Sequence, residues 1–219
     1  MFPINLRLEG RKTLLVGAGK VGRRKLDKLI KAGAWVLVAE PEPDESLRAL
    51  AAKGLIELAA GFEESLIEGR SLVFAASSDH DLNRAVARAA AMRGVWVNVA
   101  DAPEMSDFLL PAVVEDGDFQ LSISTGGASP ALAASAAADL REKFGPLYGR
   151  LTRLCSLLRP IIMSSGLASE AREMIFKRLI NSAELKKSLA GGDLDLSLKL
   201  ARELISPVKL NSDFNLDGF

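Results

Sequence analysis

Three closely spaced glycines are the first residues of the chain whose spacing indicates chemistry. They lie in the segment Gly17-Ala18-Gly19-Lys20-Val21-Gly22, which follows the apolar run Thr13 to Val16 and opens a helical pattern. Such a turn presents backbone N–H groups and a helix N-terminus to a pyrophosphate, and its third glycine lets helix and strand pack closely. A P-loop would need Gly-Lys-Ser/Thr at its end, and this segment continues with Arg23. The segment therefore predicts a dinucleotide site, to which we assign all six residues.

An acidic side chain ends the next predicted strand. Trp35 to Ala39 is apolar and rich in β-branched residues, and Glu40 follows it directly. A carboxylate at this position accepts hydrogen bonds from a ribose diol and repels the 2′-phosphate of NADP. The pattern therefore favours NAD as the cofactor, with Glu42 as the alternative residue for this role.

The first predicted helix is strongly basic. Its cationic residues are Lys20, Arg23, Arg24, Lys25, Lys28 and Lys31. Two interpretations remain open: the residues form a solvated face, or those closest to the glycine turn, Arg23 and Arg24, help to hold an anionic ligand.

Polar residues follow two later predicted strands, where ligands bind in an open parallel sheet. Asp101 follows the apolar strand Val95 to Val99 and precedes Ala102-Pro103, which makes it the candidate general base. The alternative is that Asp101 only forms an Asx turn. We also expect Ser77 to contact the cofactor and Asn98 to contact the substrate.

The residues from Asp79 to Asn83 lie at the start of the next predicted helix. We expect His80 to be a helix-start residue that caps the helix after it, rather than a residue of the site. Asp79 and Asp81 are both suited to cap this helix, and the segment Asp81-Leu82-Asn83 fits either capping or lining the pocket.

These residues need a doubly wound sheet to position them, and the hydrophobic pattern predicts one. Further strands are expected at 55–59, 72–76 and 95–99, with helices near 44–52 and 81–92 between them. Strands joined by single helices are parallel, and the carboxyl ends of parallel strands lie at one edge. We therefore predict an α/β fold whose first domain is a Rossmann-type parallel sheet, residues 1–111.

The pattern changes after Pro111. Asp116-Gly117 lies between two short apolar runs and indicates a hairpin, after which Ser129 and Pro130 are suited to begin an alanine-rich helix. Gly145-Pro146 is expected to end this helix at about Phe144. We therefore expect a small α+β region at 112–145 and a helical C-terminal region at 146–219, interrupted near Pro160, Gly166 and Gly191-Gly192.

Composition excludes several classes of function. The chain has 219 residues and a formal net charge of +0, so no overall field draws it to nucleic acid or to an anionic membrane. A single cysteine and a single histidine exclude an internal disulfide and a Cys/His zinc site, and we expect no bound metal. No apolar run is long enough to span a membrane, so we expect a cytoplasmic protein.

Several short motifs together resemble the precorrin-2 dehydrogenase family of siroheme synthesis. The resemblance extends from Phe2 to about Lys143, and its motifs follow one another in the family's order and spacing. They are Phe2-Pro3, Leu8-x-Gly10-Arg11, Gly17-x-Gly19-x-Val21-x-x-Arg24-Lys25, Leu82-Asn83, Asn98-Val99-x-Asp101, Phe108-x-x-Pro111-Ala112 and Ser124-Thr125-Gly126-Gly127-x-Ser129-Pro130.

The resemblance implies an NAD-dependent oxidation of precorrin-2 to sirohydrochlorin and, in bifunctional members, insertion of ferrous iron to give siroheme. One aspartate is thought to serve both steps, and it matches Asp101. The resemblance also implies a homodimer in which the 112–145 region mediates dimerisation and the active-site cleft is shared between subunits. Because these tetrapyrroles carry many carboxylates, Ser124, Thr125, Gly126 and Gly127 are expected to form an anion-binding nest for the substrate.

A second class of function remains open at this stage. Rossmann-type domains also serve as NAD-sensing regulatory modules without catalysis. Asp101 and the Ser124-Thr125-Gly126-Gly127 loop argue against this alternative, because a sensor needs no general base.

Overall fold

The computed structural model describes residues 1–206 and Val208 and contains two compact units, Met1–Leu110 and Pro111–Phe219. The first unit contains strands β1 (Lys12–Val16), β2 (Trp35–Ala39), β3 (Ile56–Ala59), β4 (Leu72–Ala75) and β5 (Trp96–Val99), with helices α1 (Lys20–Lys31), α2 (Glu45–Ala52) and α3 (His80–Met92). The strands form one parallel sheet in the order β3-β2-β1-β4-β5. The predicted Rossmann-type α/β fold is confirmed.

The register of this sheet brings four turns to one edge. Val16, the last residue of β1, pairs with Ala39 of β2 and with Ala75 of β4, and Ala75 pairs with Val99 of β5. All four residues end their strands, so the segments that follow them emerge side by side. The glycine turn, Glu40, Ser77 and Asp101 belong to these segments.

Helices cover both faces of the sheet. Successive residues of a strand point to opposite faces, so Leu15 packs with Leu26 of α1 and Leu47 of α2, while Leu14 packs with Val86 of α3. Each of these five side chains is at most 1% exposed. Full burial of one such side chain contributes about 1.5–3 kcal/mol to stability, so the helices that begin at the site are firmly held.

The second unit begins with the predicted hairpin. Its elements are β6 (Ala112–Asp116), β7 (Phe119–Ile123), α4 (Pro130–Met163), α5 (Ser169–Asn181), α6 (Ala183–Gly191) and α7 (Leu194–Leu204). Asp116 pairs with Phe119, and Gly117 between them has a φ of 58°. The Ser129 hydroxyl accepts a hydrogen bond from the Leu132 amide, and Pro130 is the first residue of α4. The predicted hairpin and helix start are therefore confirmed.

The predicted end of this helix at Gly145-Pro146 is wrong. Helix α4 continues through Pro146 and Pro160 as far as Met163. A proline inside a helix removes one hydrogen bond and crowds the carbonyl four residues earlier, but its fixed φ is compatible with a helix. Here packing outweighs that cost, because Leu151, Leu154 and Leu158 of α4 enter the core of the unit. The hairpin and the C-terminal helices consequently belong to one unit.

The C-terminal helices pack on the second half of α4. Ile175 and Leu179 of α5 and Leu185 and Leu189 of α6 join this core, each at most 3% exposed. The chain leaves helical conformation after Met163 and after Gly191, close to the interruptions predicted at Gly166 and Gly191-Gly192, whereas the interruption predicted at Pro160 is wrong because Pro160 lies inside α4. A further break, which the sequence did not reveal, lies at Ser182, whose hydroxyl caps α6 by accepting from the Leu185 amide.

Candidate functional site

The three glycines of the turn differ in what surrounds them. A methyl group on Gly17 would lie 2.6 Å from the Ser77 backbone, and one on Gly22 would lie 2.2 Å from the Gly17 carbonyl oxygen. Gly17 also has a φ of 86°. Nothing lies within 4 Å of a methyl group on Gly19. Contacts within the protein therefore explain Gly17 and Gly22, whereas Gly19 borders open space, where a pyrophosphate would approach the backbone.

The start of α1 faces this open space. Gly19 is the N-cap residue, no side chain caps the helix, and its first turn contains no acidic residue. Lys20 is exposed, and Val21 is 47% exposed. The unneutralised N-terminus of a helix attracts a phosphate group, so these residues fit the dinucleotide site to which we assigned them.

Glu40 contacts the glycine turn directly. Its Oε2 atom accepts a hydrogen bond of 2.8 Å from the backbone N–H of Ala18. The alternative residue, Glu42, is exposed, and its backbone N–H lies 3.5 Å from Oε1 of Glu40. Glu40 is therefore the carboxylate beside the turn, which fits recognition of a ribose diol rather than of a 2′-phosphate.

Arg23 stabilises the turn and is not free to bind an anion. Its Nε donates to the Ala18 carbonyl at 3.0 Å, and its Nη2 lies 2.7 Å from Oδ1 of Asp44, the N-cap residue of α2. Hydrogen bonds from Arg23 and from the Leu47 amide hold the pKa of the Asp44 carboxyl well below its usual value. Of the two arginines closest to the turn, Arg24 is the exposed one.

Ser77 is fixed by Asn83, a fully buried residue in the first turns of α3. Oδ1 of Asn83 accepts from the Ser77 amide at 3.0 Å, and Nδ2 donates to the Ser77 carbonyl at 3.0 Å. The Ser77 backbone also lies against Gly17. Asn83 does not cap the helix, because Asp79 does, and its buried side chain instead connects Ser77 to Asp101.

Asp101 is bound through both of its carboxylate oxygens. Oδ1 accepts a hydrogen bond of 2.8 Å from Nδ2 of Asn83, and Oδ2 contacts Nδ1 of His80. Partial burial acts to raise the pKa of this carboxyl, but hydrogen bonds from His80, its own amide and Asn83 outweigh that effect and lower the pKa. The structure thus connects Gly17, Ser77, Asn83 and Asp101 through a continuous series of contacts.

His80 is the residue whose place in the site the sequence did not indicate. It is the first residue of α3, as expected, but Asp79 caps the helix by accepting hydrogen bonds from the amides of Asp81 and Leu82. The His80 ring instead reaches Asp101, which lies 21 positions later in the chain. No local pattern signals such a contact, because it depends on the turn after β5 lying beside the start of α3.

Both polar atoms of the Asn98 side chain are hydrogen-bonded within the first unit. Its Oδ1 accepts from Nζ of Lys25 at 2.6 Å, its Nδ2 donates to the Phe108 carbonyl at 2.8 Å, and the residue is 5% exposed. Lys25, grouped by sequence with the basic face of α1, is therefore partly buried, and its ammonium also lies 5.6 Å from the centre of the Phe74 ring. Desolvation, followed by the charges of Lys28 and Arg24, lowers the pKa of Lys25 to about 8.

The Ser124-Thr125-Gly126-Gly127 loop lies in the second unit. Gly126 and Gly127 have φ values of 68° and 88°, and the Ser124 hydroxyl accepts from the Gly126 amide at 3.2 Å. The Thr125 hydroxyl donates to the Ser129 carbonyl and accepts from its amide, both at 3.1 Å. These bonds form a compact turn immediately before α4, while its role in substrate binding stays a prediction.

In residues 1–206 and Val208, no group of three or more His, Cys, Asp or Glu side chains could hold a metal ion. Within the same residues, no helix has the length and apolar character needed to cross a membrane.

Comparison with known proteins agrees with this geometry. The family described as "Putative NAD(P)-binding" matches residues 4–112. The chain is 36% identical over 191 residues to the siroheme synthase of Thioalkalivibrio sulfidiphilus, covering 87% of this chain and 39% of that protein. It is 34% identical over 210 residues to siroheme synthase 1 of Aeromonas salmonicida, covering 94% and 44%. The chain thus spans about two fifths of the length of these relatives.

Among solved structures, the chain is similar to SirC, a precorrin-2 dehydrogenase. The two superpose with a TM-score of 0.77 at 22% sequence identity, over 93% of this chain and 98% of SirC. The fold is therefore shared over nearly the whole length, including the helical C-terminal region. The chain is therefore similar in sequence to siroheme synthases over about nine tenths of its length, and its residues 4–112 match the NAD(P)-binding family.

Proposed function

We propose that this protein catalyses the NAD-dependent dehydrogenation of precorrin-2 to sirohydrochlorin in siroheme biosynthesis. The observation that carries the proposal is the series of contacts from Gly17 through Ser77 and Asn83 to Asp101. It fixes an ionisable carboxylate next to the turn that fits a dinucleotide. The names of the relatives, siroheme synthase and precorrin-2 dehydrogenase, supply the substrate.

The reaction removes one hydride and one proton from the tetrapyrrole. NAD+, when bound, supplies the hydride acceptor. The protein's own task is to hold the cofactor at Gly17–Gly22 and Glu40, and to provide a place for the proton. Asp101 is the residue on which this proton removal depends, because Asn83 and Ser77 hold its carboxylate in place after β5, at the edge of the sheet where the glycine turn lies.

Recognition of the substrate requires groups that bind carboxylates. We assign this role to Ser124, Thr125, Gly126 and Gly127, because this turn leads into the N-terminus of a long helix, whose partial positive charge attracts an anion. Asn98 is a second expected substrate contact, which would require its amide to exchange Lys25 or Phe108 for the substrate. The active protein in this proposal is a cytoplasmic homodimer in which residues 112–145 mediate dimerisation.

Insertion of ferrous iron into sirohydrochlorin is a second candidate function, with iron as a substrate. The observation that favours it is the Asp101–His80 pair, because metal insertion requires the removal of protons from pyrrole nitrogens. The relatives named siroheme synthase agree with this possibility.

The decisive experiment supplies the full chain with precorrin-2 and NAD+ and follows the absorbance of sirohydrochlorin and NADH. We expect both to appear at equal rates, and more slowly with NADP+. Binding of NAD+ without turnover would refute the enzymatic function and favour an NAD-sensing module. A parallel assay with sirohydrochlorin and ferrous or cobaltous ion, without NAD+, tests metal insertion separately.

A further inference from the structure

His80 and Asp101 contact each other but differ in solvent exposure and in how many of their polar atoms have hydrogen-bond partners. The His80 side chain is 71% exposed, whereas that of Asp101 is 25% exposed. Both oxygens of Asp101 already have partners, Asn83 and His80. Nε2 of His80, by contrast, has no hydrogen-bond partner among the residues that the structure describes.

The protonation of the pair follows from its geometry. The hydrogen bonds that Asp101 accepts stabilise its ionised form, so its carboxylate is a weak proton acceptor near neutral pH. An ionised carboxylate can only accept, so Nδ1 of His80 must carry the hydrogen of the shared bond. The neutral imidazole then keeps its basic lone pair on Nε2, which points away from Asp101.

A histidine held in this way is well suited to general base catalysis. A base works best when its pKa lies near the operating pH, and imidazole groups in water titrate at about 6.5. A carboxylate at Nδ1 fixes the tautomer and stabilises the imidazolium that forms when Nε2 takes a proton. Asn83 completes the arrangement, because its bonds to Ser77 prevent Asp101 from turning away.

We propose that His80 is the group that accepts the proton released during dehydrogenation, and that Asp101 acts through His80 by orienting and stabilising it. This inference rests on the proposed function. A C–H bond of the tetrapyrrole breaks and its hydride passes to NAD+. A second bond to hydrogen in the macrocycle breaks, its electron pair stays behind as a new double bond, and the proton bonds to Nε2 of His80. The imidazolium then releases the proton to water. The charged groups near His80 are Asp79, which caps α3, Asp81 and Arg84 of α3, which pair with each other, and Asp101 after β5.

The first test is determination of the imidazole tautomer by NMR. His80 is the single histidine of the chain, so protein without a histidine tag gives one set of imidazole signals. We expect Nδ1 to carry the hydrogen of the neutral imidazole in the wild type, and this preference to be lost in Asp101→Ala, because the substitution removes the acceptor of that hydrogen bond. The same tautomer in the two proteins would overturn the coupling on which the proposal depends.

The second test compares pH profiles of turnover in His80→Gln and Arg88→Gln. Arg88 lies exposed on the same helix, so its substitution controls for the loss of a polar side chain from α3. In the wild type and in Arg88→Gln, kcat should fall at low pH, because an imidazole base that already carries a proton cannot accept another. His80→Gln should lower kcat by about 100-fold or more, remove this pH limb, and leave KM and the Kd of NAD+ nearly unchanged.

Rescue separates a chemical role from a structural one. Added imidazole should restore part of the activity of His80→Ala, since the site of this side chain is open to solvent. A His80→Gln variant with wild-type kcat and pH profile would overturn the inference while leaving the proposed function intact. Failure of the wild type itself to oxidise precorrin-2 would instead refute the proposed function, and with it the role of His80 in this reaction.

Discussion

Asn83 donates a hydrogen bond of 2.8 Å to Asp101 while its amide is held from both sides by the backbone of Ser77. The position of the carboxylate is therefore set by the turn after β4 as well as by its own strand. Gly17 lies against the same Ser77 backbone, so a displacement of the glycine turn would be passed to Asp101 through Ser77 and Asn83. Substitution of either residue should therefore alter the position of Asp101.

Asn83→Ala is expected to weaken both stability and catalysis. The change leaves the Ser77 amide without its side-chain acceptor, and an unsatisfied polar group costs about 1–3 kcal/mol. It also releases Asp101 on one side, so kcat should fall more than the affinity for NAD+. Chemical denaturation and steady-state kinetics measure the two effects. An unchanged free energy of unfolding would contradict the anchoring role of Asn83.

Asp101→Ala should abolish dehydrogenation and leave NAD+ affinity within about threefold of the wild type. The physical reason is that Asp101 contacts the proton-accepting group and not the glycine turn, and loss of acid–base catalysis costs about 10²- to 10⁴-fold in rate. The measurement is kcat together with the Kd of NAD+ from fluorescence titration. Asp81→Asn is the control and should behave like the wild type, because the Asp81 side chain is 94% exposed on α3 and pairs with Arg84 rather than with His80.

Alanine substitutions at Gly19 and Gly22 should affect different properties, NAD+ binding for Gly19 and thermal stability for Gly22. In Gly22→Ala the new methyl group would lie 2.2 Å from the Gly17 carbonyl oxygen, so the first unit should unfold at a lower Tm. In Gly19→Ala the methyl group meets no protein atom within 4 Å, so Tm should be retained while NAD+ binding is lost. Thermal unfolding and NAD+ titration of both variants check this pair. Tight NAD+ binding by Gly19→Ala would argue against a pyrophosphate at that position.

Glu40→Gln should reduce the preference for NAD+ over NADP+. Removing one negative charge near the ribose relieves repulsion of the 2′-phosphate, which is worth about 1 kcal/mol or about fivefold in Kd at an exposed site. Glu42→Gln removes the same charge from an exposed residue two positions later and should change the preference less. The ratio of the two dissociation constants is the quantity to compare, and an equal change in both variants would contradict the assignment of Glu40.

Lys25 should make stability depend on pH in the alkaline range. Its pKa is lowered from 10.5 to about 8 in the folded protein, so between these values the unfolded chain binds more protons than the folded one. The free energy of unfolding contributed by this group therefore rises as pH increases from about 8 to 10.5. Lys25→Met should flatten this part of the profile relative to the wild type, as urea unfolding at a series of pH values can measure. Parallel profiles would show that the Lys25 ammonium is solvated.

Much of the first unit could be predicted from sequence because each of its elements carries a local signal. The run Trp35 to Ala39 is apolar on both faces, as a central parallel strand requires, and β2 has these bounds in the structure. The glycine turn and Glu40 could also be located from sequence, because each directly follows a predicted strand. The pairing of β1 with β2 then brings them together.

The remaining features depend on contacts that local patterns do not contain. Lys25 belongs by spacing to the basic face of α1, yet its ammonium is partly buried because Asn98 and Phe74 lie on the sheet beneath it. His80 fits a helix start, and only the neighbouring turn after β5 turns it into a partner of Asp101. In each case the environment of the side chain is set by a residue that is distant in sequence.

The unbroken course of α4 has a practical consequence for anyone dissecting the second unit. The helix carries Ala133 and Ala137, which are buried in its first half, and Leu154 and Leu158, which anchor α5 and α6 to its second half. The sequence suggests a boundary at Gly145-Pro146, but a fragment ending there would interrupt α4 and lose Leu154 and Leu158 from the helix. Such fragments should be insoluble, whereas a fragment ending at Leu110 contains the whole first unit.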